Sequence, residues 1–404
     1  MATILTFLKQ TPPTQLLELF TWSGWPKDQV SAIGEMSDVA ARFRALQQLL
    51  QDGTSLCTDK LGAASDQIEQ LRDEQGQRAL FSVARANGID LDEFEDPRAC
   101  AIHLLVRNQE AFDRALASHY ADRLSHGRMW SCFALRGDAT VAFNPSDDAK
   151  RSFATALIGD LGKDQQSGRC QVDWFVRLIE DADGAAPARV VQATLYQEAR
   201  PQVEPEFGED GEIASRMRRP VHEGAVMFDE VKGQIDIVAR GGKATRQKIA
   251  EAFVRLFLSG ADNPRPIEMR LLDLSSLSSP CTFAIRAEDD VIAVEVERLR
   301  LASPDGDGFM VTVEAKNGAG DEDAIQERAR RNFGPRGPLG KPGWTVVAAS
   351  LRVRFAPEAE STRSKSIRVE LTLPNRTNLR DQTERHRLIA DVLLEHWGLY
   401  LAHP

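Results

Sequence analysis

The sequence predicts an α+β fold: an N-terminal helical bundle followed by a mixed body of mainly antiparallel β-hairpins with interspersed helices. Residues 1–126 carry apolar side chains at helical spacing, whereas later segments form short apolar runs separated by turn residues. The length of 404 residues exceeds one domain of ~150 residues. We therefore predict an acidic helical domain over 1–126, an α+β domain over 127–262 and a second α+β domain over 263–404.

Capping signals in front of amphipathic runs predict the helices of the first domain. Thr14 can cap the first helix, and Ser37 or Asp38 begins the second. A third helix is predicted as one continuous segment from about 64 to 86. Asp96–Pro97 places a capping side chain before a proline at the first helical position. Short polar connections between such helices favour antiparallel neighbours, so a small bundle is expected.

Paired apolar runs predict hairpins in the rest of the chain. The predicted pairs are 172–179 with 189–196, 225–228 with 234–238, 291–301 with 309–315, and 345–355 with 366–373. Helices are predicted over 245–258, near 324–332 and at the C-terminal end, where Asp381 and Glu384 form a capping box. The segment Pro201–Arg219 is rich in charged residues and proline, so we expect it to be a polar loop.

The bulk composition excludes several classes of protein. Fifty basic and sixty acidic residues give a net charge of −10, which argues against a globally basic nucleic-acid coat. Five widely spaced cysteines give neither a disulfide framework nor a CxxC metal site. No apolar run approaches the ~18 residues of a membrane span, and no leader pattern is present, so we expect a cytoplasmic protein without a membrane partner. The 39 arginines against 11 lysines are typical of a GC-rich bacterial genome.

The charge is distributed unevenly along the chain. The first hundred residues carry a net −6, whereas residues 324–390 carry a net +8. A basic sheet face with a flexible basic loop would suit the phosphate backbone of DNA or RNA. The candidate nucleic-acid-binding residues are Arg328, Arg330, Arg331, Arg336, Lys341, Arg352, Arg354 and Arg368. The alternative is a solvated face on which Glu295, Glu297 and Glu370 neutralise the arginines across neighbouring strands.

One short motif could carry chemistry. In the run Val313–Asn317, Glu314 and Lys316 lie two residues apart and would share a strand face. This spacing resembles the E-x-K element of the PD-(D/E)xK nuclease superfamily. The resemblance implies a carboxylate that holds a divalent metal ion and a lysine beside the attacked phosphate. Glu297 is the most plausible second carboxylate, because it can lie across the hairpin from Glu314.

Two tryptophans near the N-terminus are candidate partner-binding residues. Trp22 and Trp25 are three residues apart in an aromatic-rich connection. Tryptophan is favoured at the centre of protein interfaces, so this segment could dock a partner. Packing into the core of an irregular helix connection is the alternative.

Three functions from different classes follow. The leading hypothesis is a non-catalytic component of a bacterial multi-protein assembly that binds nucleic acid or an acidic protein through its C-terminal basic region. The first alternative is a Mg²⁺-dependent nuclease that uses Glu314 and Lys316 with Glu297. The second alternative is a protein-only adaptor. No GxSxG, dinucleotide-binding or metal-ligand pattern is found, so neither a catalytic constellation, a metal centre nor a nucleotide cofactor is expected outside the nuclease hypothesis.

Overall fold

The α+β prediction is confirmed by the structure, a computed structural model in which helices dominate the N-terminal part and antiparallel sheets form the rest. The structure describes residues 4–401, apart from 126, 136–141, 144, 162–168, 180–186, 209–210, 260–262, 268–269, 287–288, 306, 316–324, 335–336, 340–342, 358–363, 380–381 and 383. The chain forms two compact units, Met1–Ile267 and Glu268–Pro404. Among the described residues, no helix is long and apolar enough to cross a membrane.

The first unit begins with a run of helices. These are α1 (Ile4–Gln10), α2 (Pro13–Ser23), α3 (Lys27–Gly34), α4 (Val39–Asp52), α5 (Ser55–Gln70), α6 (Glu74–Ala86), α7 (Pro97–Arg107) and α8 (Gln109–Leu124). The predicted caps Asp38 and Asp96 each accept a hydrogen bond from a backbone N–H of the first turn. Thr14 caps nothing, because α2 starts one residue earlier, at Pro13, with Pro12 before it.

The continuous helix predicted over 64–86 is wrong. The chain leaves α5 at Leu71, and the carboxylate of Asp73 accepts a hydrogen bond from the N–H of Gly76 at 2.7 Å, which starts α6. A Cβ at Gly76 would lie within 2.5 Å of the backbone of Leu71, so only glycine permits this close approach. The interruption therefore combines the Asp73 cap with a close approach that glycine permits.

Three antiparallel sheets and two more helices complete the first unit. The elements in chain order are β1 (Trp130–Ala134), β2 (Ala142–Phe143), α9 (Asp147–Leu161), β3 (Cys170–Ile179), β4 (Ala188–Glu198), β5 (Gln202–Phe207), β6 (Ile213–Arg218), β7 (Val221–Asp229), β8 (Gln234–Val238), α10 (Lys243–Phe257), β9 (Leu258–Ser259) and β10 (Arg265–Pro266). Six of these strands form one sheet in the order β10-β1-β8-β7-β4-β3. The predicted hairpins 172–179/189–196 and 225–228/234–238 are present as β3–β4 and β7–β8.

Helices cover both faces of this sheet. On β4, Val191, Ala193 and Leu195 share a core with α9 and α10. Val190 points to the opposite face and packs with Ala121 of α8. Successive side chains of a strand point to opposite faces, so β4 contributes to both layers. The N-terminal helices are therefore one of two layers packed against the sheet.

The second unit is a five-stranded antiparallel sheet with helices on its apolar face. It contains a short 3₁₀ helix (Ser275–Ser278), β11 (Val291–Ala302), β12 (Met310–Glu314), α11 (Ile325–Phe333), β13 (Thr345–Phe355), β14 (Ser366–Thr372), β15 (Arg376–Thr377) and α12 (Glu384–His396). The strand order is β12-β11-β13-β14-β15. Leu351 and Val353 of β13 pack with Ala329 of α11 and Leu393 of α12. The predicted capping residue Asp381 lies outside the described residues.

The polar loop predicted at 201–219 is wrong. This segment forms β5 and β6, a two-stranded hairpin in which Val203 lies opposite Met217 and Phe207 opposite Ile213. It continues from the ends of β4 and β7, which pair from Val190–Asp229 to Glu198–Val221. We call residues 202–218 the arm. The domain boundaries stay a prediction, although the second unit begins close to the boundary expected at 263.

Candidate functional site

The candidate arginines of the second unit lie on the polar face of its sheet. Arg352 and Arg354 alternate with Leu351 and Val353, so they face away from the apolar core. Arg352 lies directly opposite Arg368 of β14. Strand pairing thus brings the three sheet arginines of the predicted set together.

Glutamates occupy the same face and pair with these arginines. Arg354 contacts Glu295 at 3.0 Å, Arg368 contacts Glu297 at 2.8 Å, and Arg352 also contacts Glu297. A fourth arginine, Arg298, contacts Glu370 at 2.6 Å. Four arginines and three glutamates leave only one formal positive charge from these seven residues. This arrangement matches the alternative of a self-neutralised face.

Glu297 is central to that neutralisation. Its side chain is only 8% exposed, and it lies at a register shift of β11, where the strand has one extra residue between Val296 and Arg298. Such a bulge turns an additional side chain toward the face. The Glu297 carboxylate can thereby accept hydrogen bonds from two guanidinium groups on two neighbouring strands.

Among the other basic candidates, those that the structure describes lie on a helix and not on this face. Arg328, Arg330 and Arg331 lie on α11, whose buried Ile325 and Ala329 join the apolar core. Arg330 donates from Nε to the carbonyl oxygen of Leu339 at 3.4 Å. Arg336 and Lys341 lie outside the described residues. The structure therefore groups Arg352, Arg354 and Arg368 only.

If the glutamates neutralise this face, removing them should create a polyanion site. We expect the triple variant Glu295→Gln, Glu297→Gln, Glu370→Gln to bind duplex DNA at least about tenfold more tightly than wild type at low salt, since unpaired arginines can then contact phosphates. Fluorescence anisotropy with a labelled duplex measures this. Glu314→Gln, which removes one exposed acid nearby, is the matched control. Equal affinity of wild type and triple variant would contradict the neutralisation.

The E-x-K motif is only partly described by the structure. Glu314 is exposed at the end of β12 and lies opposite Arg298, whereas the backbone carbonyl of Glu297 accepts from the N–H of Ala315 at 2.9 Å. Lys316 lies outside the described residues. The Glu297 carboxylate is held by two arginines, which compete with a metal ion for it. Within the described ranges, no group of three or more His, Cys, Asp or Glu side chains could hold a metal ion.

The two candidate tryptophans belong to the helical core and its margin. Trp25 is 5% exposed, its ring centroid lies 4.9 Å from that of Phe20 with the two rings tilted at 52°, and Nε1 donates to the carbonyl oxygen of Leu49. Trp22 is half-buried, and the ammonium group of Lys60 lies 4.0 Å from its ring centroid. Trp25 thus fits the core-packing alternative, and Trp22 is covered by a cation.

The arm is the surface that the sequence analysis missed. One of its faces carries four large apolar side chains that are exposed to between 66% and 74%: Val203, Phe207, Ile213 and Met217. The signal was present as alternation at 203, 205 and 207 and at 213, 215 and 217 around a turn with two glycines. A monomeric protein seldom leaves such a row of apolar side chains in water, so the arm has the character of an interaction site.

The opposite face of the arm is polar and orders the two strands. The carboxylate of Glu206 accepts from Arg218 at 2.7 Å and contacts Arg216 at 3.4 Å. The hydrogen bond from Arg218, helped by the charge of Arg216, lowers the pKa of Glu206. Glu206 therefore stays ionised at neutral pH, and these exposed ion pairs add to the backbone ladder that joins β5 and β6.

Neither the models of known protein families nor the curated proteins give a match to this sequence.

Proposed function

We propose that this chain is a non-catalytic component of a protein assembly and that it docks to protein through the arm. The observation that carries this proposal is the exposure of Val203, Phe207, Ile213 and Met217 on one face of a hairpin. A two-stranded hairpin is at best marginally stable in water unless a third element covers it. Covering by a protein partner would supply that third element.

Burial of this apolar face would contribute a substantial part of the free energy that association needs. Burying one large apolar side chain contributes about 1.5–3 kcal/mol, so four contribute roughly 6–12 kcal/mol. Association costs at least about 4 kcal/mol in lost translational and rotational freedom. The apolar face alone can therefore offset much of that cost, and the adjacent ion pairs would form a polar rim.

The arm supports protein binding better than the arginine face supports nucleic-acid binding. The sheet arginines are already paired with glutamates, whereas the apolar side chains of the arm have most of their surface in water. Protein binding is also the function shared by the leading hypothesis and the adaptor alternative. Nucleic-acid binding stays a prediction that the glutamate variants above can test.

The double variant Phe207→Ser, Met217→Ser tests the proposal. Both side chains are exposed, so we expect the free energy of unfolding to change by less than about 0.5 kcal/mol while partner binding falls at least about tenfold. Two differently tagged full-length copies are expressed in cells that naturally make the chain. Proteins that co-purify after mild crosslinking, the second tagged copy included, are quantified by mass spectrometry.

Glu204→Ala, on the polar face of the same hairpin, is the matched control. Wild type and control should recover the same proteins, and the double variant should lose them. Equal recovery by the double variant would contradict the proposal, and so would recovery of no protein by wild type.

A further inference from the structure

The arm has two edges, and the hydrogen-bond pattern shows which backbone groups each edge presents. The N–H of Gly208 donates to the carbonyl oxygen of Glu212 at 2.8 Å, so these opposite residues form a hydrogen-bonded pair. Hydrogen-bonded and non-hydrogen-bonded pairs alternate along an antiparallel ladder. The pairs 203/217, 205/215 and 207/213 are therefore non-hydrogen-bonded, and their N–H and C=O groups point outward.

Only one of the two edges can accept another strand without interruption. On β5 the central outward position is Pro205, which has no N–H to donate. On β6 the outward positions are Ile213, Ser215 and Met217, and each has both a donor and an acceptor. Within the described residues, β6 pairs with β5 alone. Proteins usually protect such an edge with proline or an inward charge, and β6 has neither on its apolar face.

The sequence of β6 is complementary to itself in one antiparallel register. If Ser215 lies on a two-fold axis, Met217 lies opposite Ile213 of the second copy. In the same register, Arg218 lies opposite Glu212 of the second copy, on the polar face. All three outward positions are then used, and opposite charges and apolar side chains meet across the new strand pair.

The neighbouring registers are worse. An axis at Arg216 places Arg216 against its own copy, and like charges directly opposite each other are destabilising. An axis at Ala214 places Ile213 against Ser215 and Met217 against Gly211, so both apolar pairs are lost. The register centred on Ser215 is thus selected by charge and by apolar matching together.

We propose that two copies of this chain associate by antiparallel pairing of β6 with β6 about a two-fold axis at Ser215. The proposal rests on the proposed function and names a second copy as the occupant of the β6 edge, while the apolar face of the arm stays available to other proteins. The result is a four-stranded sheet in which the tip of each arm lies beside the base of the other. A two-fold axis perpendicular to the sheet keeps both apolar rows on one side, so other components of the assembly would meet eight apolar side chains instead of four.

A charge exchange between two variants tests both the occupant and the register. In a dimer of the Arg218→Glu variant, each introduced glutamate lies opposite Glu212 of the other copy. In a dimer of the Glu212→Arg variant, each introduced arginine lies opposite Arg218 of the other copy. We expect each single variant to raise the dissociation constant of the wild-type dimer by about tenfold, because two attractive pairs become repulsive. An equimolar mixture of the two full-length variants restores both pairs and should return to within about threefold of the wild type. Sedimentation velocity measures the association.

The loss of the in-chain contact between Arg218 and Glu206 does not explain rescue in the mixture, since the mixture does not restore that contact. A wild type that stays monomeric at about 100 µM overturns the proposal, and so does a mixture no more associated than its components. If the single variants have the same dissociation constant as wild type, the register centred on Ser215 is overturned. In each of these cases the proposed function survives if wild type co-purifies proteins other than its own second copy and the double variant Phe207→Ser, Met217→Ser does not.

A cysteine pair gives a second readout that does not depend on charge. Ser215→Cys places two thiols opposite each other at the axis, where Cα atoms of a hydrogen-bonded pair are about 5.5 Å apart and a disulfide can form. Ala214→Cys lies one residue away and faces the second copy's Arg216, so it should not crosslink. Oxidised wild type gives the background level of covalent dimer that its native cysteines form. Oxidation should raise the amount of covalent dimer above this level in Ser215→Cys but not in Ala214→Cys. Equal crosslinking of the two variants overturns the proposal.

Discussion

Phe253→Ala is expected to lower the free energy of unfolding of the first unit by about 3–5 kcal/mol. Phe253 is fully buried on α10, and its ring lies among those of Phe143, Phe153, Trp174, Phe228 and Phe257, with centroids between 5.3 and 6.3 Å away. Truncation removes the apolar surface that Phe253 buries, and it also removes one edge-to-face, two stacked and two tilted contacts with these five rings.

Urea denaturation followed by tryptophan fluorescence measures this loss, because Trp174 belongs to the same cluster. Phe253→Leu keeps most of the volume and should cost less than about 1.5 kcal/mol. A loss below about 1 kcal/mol in Phe253→Ala would mean that the cluster collapses around the cavity without penalty.

Asp122→Ala is expected to lower the free energy of unfolding by about 3–5 kcal/mol, because it leaves the buried guanidinium group of Arg177 without its carboxylate partner. Arg177 of β3 is 3% exposed, and both of its terminal nitrogens bond to the two oxygens of Asp122 on α8 at 2.8 Å. The reciprocal variant Arg177→Met should cost much less, about 1 kcal/mol, since Asp122 is 36% exposed and can be rehydrated.

Thermal and urea unfolding of Asp122→Ala, Arg177→Met and the double variant check this asymmetry. The double variant should lie close to Arg177→Met, because removing the cation removes the cause of the penalty. Equal losses in the two single variants would show that the pair acts through its mutual attraction and not through the burial of the guanidinium group.

Features determined by neighbouring residues could be predicted from the sequence. Asp38 and Asp96 cap helices because the capping side chain and its N–H partners are two or three residues apart. The interruption between α5 and α6 was missed although its signal is also local. Asp73 caps α6 by accepting from the N–H of Gly76, but the apolar spacing on both sides of this cap fits one continuous helix.

The arginine face and the arm also show which features local sequence can predict and which it cannot. Alternation predicted that Arg352 and Arg354 share a face, and the three glutamates that pair with the arginines were expected as the alternative. Which arginine each glutamate contacts depends on strand order and on the bulge at Glu297, neither of which is local. The arm was missed for the opposite reason. Its apolar residues alternate with charged residues and with Pro205, a composition that is typical of a polar loop.

The place from which the arm emerges has a mechanical consequence. The arm continues β4 and β7, which have β3 and β8 as their outer neighbours and therefore lie inside the six-stranded sheet. A load applied to the arm must pass into strands that are hydrogen-bonded on both sides and packed between helices. We therefore expect binding at the arm to slow hydrogen exchange in the middle of the sheet, far from the contact itself.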